Sequence, residues 1–153
     1  MLIAFDFDGT LSDSEMTVLL GEEAGVADEI DEITERAMND KISYAESLYA
    51  RAELLDGLAE ERVESAFDRV ELRPGSADVI DALSMAGHHV AILTGGFARG
   101  GEKALEAEGI SVDTIVANRL PIRNGKLTGG AEGPLIEGTK DDALEGLAAE
   151  VGV

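Results

Sequence analysis

Leu2-Ile3-Ala4-Phe5-Asp6-Phe7-Asp8-Gly9-Thr10-Leu11 is a short apolar run that ends in two aspartates one residue apart, then a glycine and a threonine. Leu2 to Phe5 reads as a strand buried on both faces, as the central strand of a parallel sheet is. Asp6 then stands at the strand's C-terminal end, the edge where open α/β sheets place their ligands. Gly9 allows a sharp turn and a close approach of ligand to backbone. Two carboxylates this close repel unless a cation or a shared proton lies between them. The stretch therefore predicts a metal-associated or proton-transferring site at the end of the first strand.

The rest of the chain is consistent with an α/β protein. Its 153 residues suffice for one domain with a core and a small inserted unit. Hydrophobic residues make up 44%, too many for a disordered chain. Aromatics are only 4% and Trp is absent, so Ala, Val, Leu and Ile must build the core. Thirty-two acidic residues against 12 basic ones leave a net charge of −20, which disfavours nucleic acid and anionic membranes as partners. The acids are spread along the whole chain, and lysine occurs only at Lys41, Lys103, Lys126 and Lys140. That distribution is similar to proteins of salt-in halophiles, where high salt screens self-repulsion. There is no cysteine, hence no disulfide and no thiolate metal site. With no basic leader and no apolar run long enough to span a bilayer, the expectation is a cytoplasmic protein.

After the first strand the sequence turns helical. Ser12 or Ser14 can cap a helix from about Glu15 to Gly25, and helices are expected over 27–38, 43–55 and 59–70, closed by Arg73-Pro74-Gly75. Ser76 can cap a further helix ending at Gly87. His88 to Leu93 reads as a second buried strand and Thr94-Gly95-Gly96 as the turn after it. Residues 97–108 read as a helix, 112–117 as a third strand, and 120–128 as a hairpin around Asn124-Gly125. A last helix is expected over 140–150. A strand, a helical block, then alternating helices and strands imply a parallel sheet. The helical block enters directly after the first strand, where it can cover the site.

Parallel strands bring their C-terminal ends to one edge, so Asp6, Asp8 and Thr94 share it. Gly95-Gly96 open a helix whose free amides favour an anion. Lys140, at the start of the last helix, can reach the same edge. A carboxylate nucleophile, a second carboxylate, a hydroxyl, glycine amides and one lysine are the parts that phosphoryl transfer through an aspartyl-phosphate needs.

These motifs carry a resemblance. Asp6-Phe7-Asp8-Gly9-Thr10 is similar to the DxDGT motif of the haloacid dehalogenase (HAD) superfamily, Thr94 to its second motif and Lys140 to its third. Ile92-Leu93-Thr94-Gly95-Gly96-Phe97, Ala117-Asn118-Arg119-Leu120 and Gly125-Lys126-Leu127-Thr128-Gly129 follow one another as in the phosphoserine phosphatases of archaeal type. The resemblance implies a HAD-like Rossmannoid core over 1–13 and 75–153, with a helical cap over 14–74. It implies Mg²⁺-dependent hydrolysis of a small phosphorylated substrate, O-phosphoserine, to L-serine. Asp6 would be the nucleophile and Asp8 the general acid/base, and Asp6 with the Asp8 backbone carbonyl would hold the metal. Thr94, Gly95 and Lys140 would hold the phosphoryl group. Glu15 would meet the substrate ammonium, Arg51 its carboxylate, and Met38 and Tyr44 would form an apolar wall of the cap. An Arg fork suits a carboxylate and an acid suits an amine.

The chain departs from the family in two places. Thr94 replaces the usual serine and keeps the hydroxyl. The fourth motif, GDGxND on a further strand, is absent from the 153 residues. That absence raises the expectation of a truncated chain lacking C-terminal strands, or of a homodimer or other partner that supplies the missing strand. The alternatives are an impaired fragment acting as a binding or subunit module, and a related small-molecule phosphatase or phosphotransferase.

Overall fold

The computed structural model describes residues 1–152. In chain order the elements are β1 (Leu2–Phe5), α1 (Met16–Ala24), α2 (Ala27–Met38), α3 (Tyr44–Leu54), α4 (Glu60–Asp68) and α5 (Ser76–Met85). They continue with β2 (His89–Phe97), α6 (Ala98–Ala107), β3 (Thr114–Asn118), β4 (Ile122–Arg123), β5 (Lys126–Leu127) and α7 (Lys140–Val151). β1, β2 and β3 form a parallel sheet in that spatial order, with Leu2 opposite His89 and Ala91 opposite Thr114. The parallel α/β architecture expected from the sequence is present.

β2, not β1, is the central strand. Among the described residues β1 pairs only with β2, and all four of its residues are half-buried. The apolar run alone did not distinguish these positions, because burial on both faces needs neighbours the run does not contain. β2 alternates between two cores, as a strand's period of two requires. Val90 and Ile92 join the larger cluster with Phe7, Met16, Leu20, Ile30, Leu48 and Phe67. Ala91 and Leu93 face a smaller one, with Leu135 and Leu147. β2 also runs further than expected, through Thr94-Gly95-Gly96 to Phe97, with an irregular register between Leu93 and Phe97. The glycine pair is therefore a bulged strand end, which bends the backbone toward the sheet's edge.

The helical block forms as its caps dictate. Ser43 accepts from the Glu46 amide while Glu46 reaches back to the Ser43 amide, a reciprocal capping box that starts α3. Gly25, at φ 74°, ends α1. Two caps differ from expectation. The N-cap of α1 is Glu15, because Ser12 is buried and donates instead to the Glu71 carbonyl. That of α5 is Gly75, and Ser76 donates to the Leu11 carbonyl. Both serines thus tie the two crossings between β1 and the helical block together. The hairpin forms as read, with Asn124 and Gly125 both at positive φ, as a type I′ turn requires.

Candidate active site

The C-terminal ends of β1 and β2, the first turns of α1 and α3, and the segment leading into α7 surround one cavity of about 930 Å³. All nine residues singled out from the sequence line it: Asp6, Asp8, Glu15, Met38, Tyr44, Arg51, Thr94, Gly95 and Lys140. They come from positions up to 134 residues apart, so the fold, not the local sequence, assembles them.

On the floor, Lys140 Nζ lies 3.0 Å from Asp6 Oδ1, which also accepts from the Phe7 amide at 2.8 Å. The two contacts fix the direction of the Asp6 carboxylate. Lys140 opens α7, where its charge opposes the helix dipole, and its position is explained by Asp6 instead. Asp8 is more enclosed. Burial raises its carboxyl pKa to about 7; the Met16 amide at the start of α1 lowers it, Glu15 and Asp6 raise it further, and Arg51 lowers it. Asp8 Oδ1 is buried with no hydrogen-bond partner. Thr94 is buried, and its Oγ1 accepts from the Gly96 amide at 2.9 Å, so its own hydrogen remains to be donated.

In the wall contributed by the helical block, Arg51 is buried on α3. Its Nε donates to the Ser47 carbonyl at 3.2 Å and its Nη1 to Thr17 Oγ1 at 3.1 Å. Burial lowers the Arg51 pKa, with Tyr44 and Glu15 acting against that. The guanidinium carbon stands 5.9 Å from the Tyr44 ring centroid, a cation–π distance. Tyr44 differs from the purely apolar wall expected of it. Its ring lines the cavity, but its hydroxyl donates to the Gly95 carbonyl at 2.9 Å, across to the sheet. Gly95 must be glycine for this contact, since a Cβ there would lie 2.2 Å from the Tyr44 oxygen. Met38 lines the cavity from the end of α2 and is largely exposed.

Three polar residues of this region were given no role from the sequence. Thr17 and Ser47 line the cavity, Ser47 with a buried hydroxyl that has no hydrogen-bond partner. Neither stands in a motif, and only α1 meeting α3 brings them in. Asn118 was legible: a polar residue ending an apolar strand on the same edge as Thr94 is unusual in a core of this composition.

The oxygen-only donors fit a hard divalent cation such as Mg²⁺ better than a metal that prefers nitrogen or sulfur. The orphaned Asp8 oxygen beside a second carboxylate supports that fit. Among the described residues, no group of three His, Cys, Asp or Glu side chains converges to hold a metal. A cation here would keep water or substrate oxygens in its shell, as Mg²⁺ commonly does.

The model of the haloacid dehalogenase-like hydrolases matches residues 3–153. The chain belongs to that family. It is 49% identical over 151 residues to a phosphoserine phosphatase of Halobacterium salinarum, covering 99% of this chain and 72% of the relative. Two solved structures superpose on 99% of this chain and 72% of their own. One is a phospho-aspartyl intermediate analogue of a phosphoserine phosphatase, with TM-score 0.89 and 39% identity. The other is a substrate-bound phosphoserine phosphatase complex, with TM-score 0.90 and 38% identity.

Proposed function

We propose that this HAD hydrolase cleaves small phosphomonoesters, with O-phosphoserine as substrate and L-serine and phosphate as products. The observation that carries the reading is a paired set of polar groups in one cavity. Asp6, Asp8, Thr94 and Lys140 suit a phosphoryl group on the sheet side. Arg51 and Glu15 suit the carboxylate and ammonium of an amino acid on the helical side. The relatives' names support the same substrate.

In the mechanism that follows, Asp6 attacks phosphorus in line with the serine oxygen. Asp8, in its protonated form, gives its proton to the departing alkoxide. An aspartyl-phosphate remains on Asp6. Asp8, now ionised, takes a proton from the water that attacks that phosphorus, so phosphate leaves and both carboxyls return to their starting states. A pKa of about 7 suits a group that must give and take one proton per cycle. Lys140, the Thr94 hydroxyl and the Gly95 amide hold the phosphoryl oxygens and offset their growing charge. Mg²⁺ held by Asp6 and the Asp8 carbonyl would supply further charge neutralisation at the phosphoryl group. We assign 14–74 to a cap over a core made of 1–13 and 75–153.

Arg51→Ala tests the substrate assignment. The expected outcome is a KM for O-phosphoserine raised at least tenfold, with little change for a phosphomonoester that lacks a carboxylate. Equal losses for both substrates would remove the carboxylate assignment.

A further inference from the structure

The Gly95 carbonyl accepts two hydrogen bonds, and they come from two different elements. The Tyr44 hydroxyl donates at 2.9 Å from α3, and Asn118 Nδ2 donates at 3.1 Å from the end of β3. A carbonyl has two lone pairs, so this acceptor is filled. Asn118 is 1% exposed, and its other amide atom is used as well: Oδ1 accepts from the Leu135 amide at 2.9 Å. Leu135 begins the stretch that leads along the cavity to Lys140.

The surroundings leave the Asn118 amide little freedom. Arg119 and Glu132 exchange both backbone hydrogen bonds, which brings Gly133 alongside Asn118. Gly133 sits at φ +147°, and a Cβ there would lie 2.3 Å from Asn118 Oδ1 and 2.6 Å from its Cα. One buried side chain therefore holds the Gly95 peptide and the Leu135 backbone in a single frame.

We infer that Asn118 is a positioning residue of the phosphoryl pocket, and that Tyr44 couples closure of the helical side to the same Gly95 carbonyl. The inference rests on the phosphoryl reading of the site. Asn118 touches no substrate atom; it fixes the Gly95–Gly96 peptide, whose Gly96 N–H donates to Thr94 Oγ1 and so orients that hydroxyl, and it fixes the approach of Lys140. The Tyr44 bond then forms only against a carbonyl that Asn118 has oriented.

Asn118→Asp keeps the acceptor for Leu135 and removes the donor to Gly95. Calorimetric titration in magnesium chloride and high KCl, with inorganic phosphate and with the non-hydrolysable phosphonate analogue of O-phosphoserine, compares it with Tyr44→Phe and the double variant. The expected results are a phosphate affinity at least tenfold weaker in Asn118→Asp, with a lowered melting temperature but a cooperative fold at the assay temperature. For the phosphonate, Tyr44→Phe is about fivefold weaker, and the double variant is no weaker than Asn118→Asp alone. Wild-type phosphate affinity in folded Asn118→Asp, or additive losses in the double variant, would overturn the inference. Amide spectra of Tyr44→Phe decide the same point without ligand and without risk to the core. Shifts are expected at Gly96 and at the Asn118 side-chain amide, and shifts confined to α3 would contradict the coupling. Wild-type protein that binds neither ligand would defeat the phosphoryl reading itself, while the spectra still judge the Tyr44–Asn118 link.

Discussion

Asp8 carries the clearest electrostatic consequence of the fold. Its carboxyl has an ordinary pKa of 3.8 and is raised to about 7 in the folded chain, chiefly by burial. A folded pKa above the unfolded one contributes stability that is fully present below 3.8 and is lost as pH rises through about 7. Metal-free protein should therefore weaken on going from pH 5 to pH 8, by a few kcal/mol at most, since a pKa unit is worth about 1.4 kcal/mol. Asp8→Asn removes the titrating group. Its melting temperature in magnesium-free buffer should exceed wild type at pH 8 and converge with it near pH 4. A wild-type slope that survives in Asp8→Asn would assign the pH dependence elsewhere. Gly95 makes a steric prediction at the same scale. Gly95→Ala places a Cβ on the Tyr44 hydroxyl, so the ring must leave the cavity, and Tyr44 fluorescence quenching by acrylamide should rise.

At the scale of elements, the joints between the helical block and the helices of the sheet matter most. Lys103 on α6 lies 2.7 Å from Glu64 and 2.5 Å from Asp68, both on α4, and its side chain is mostly covered. Lys103→Met should cost up to about 1 kcal/mol in urea unfolding, less at high salt, as expected for paired charges near a surface. The capping box of α3 makes a sharper case, because that helix presents both Tyr44 and Arg51. Ser43→Ala should cost about 1 kcal/mol and raise the KM for O-phosphoserine through fraying of the first turn. Unchanged kinetics would mean that packing alone holds Tyr44. The elements were largely legible in the sequence, since apolar periodicity and glycine stops mark local structure. What was not legible depended on competition between distant groups. Ser12 and Ser76 are good capping residues, but each has a carbonyl partner elsewhere in the fold. The ranking of β1 and β2 in the sheet was hidden for the same reason: a strand's neighbours are not written in its own residues.

For the whole molecule, a charge of −20 on 153 residues sets the conditions under which the rest operates. Self-repulsion acts over the screening length, about 10 Å at 0.1 M salt and about 3 Å at 1 M. The melting temperature should rise by several degrees over that range of KCl, against the smaller loss from weakened ion pairs. A flat or falling curve would contradict the halophilic reading of the composition. The site as a whole was more legible than its individual bonds. The motif residues needed only to fall at strand ends and helix starts for a parallel sheet to collect them, whereas the Tyr44 hydroxyl finds its partner only when the helical block meets the sheet, and Asn118 only when β2, β3 and the segment at Leu135 come together. The account stands or falls on Asp6 as the group that receives phosphorus. Phosphate release from O-phosphoserine, in magnesium chloride and high KCl, should be readily measured for the wild-type chain and fall by about a thousandfold or more in Asp6→Asn. Equal release by the two, or none from wild type, would contradict it.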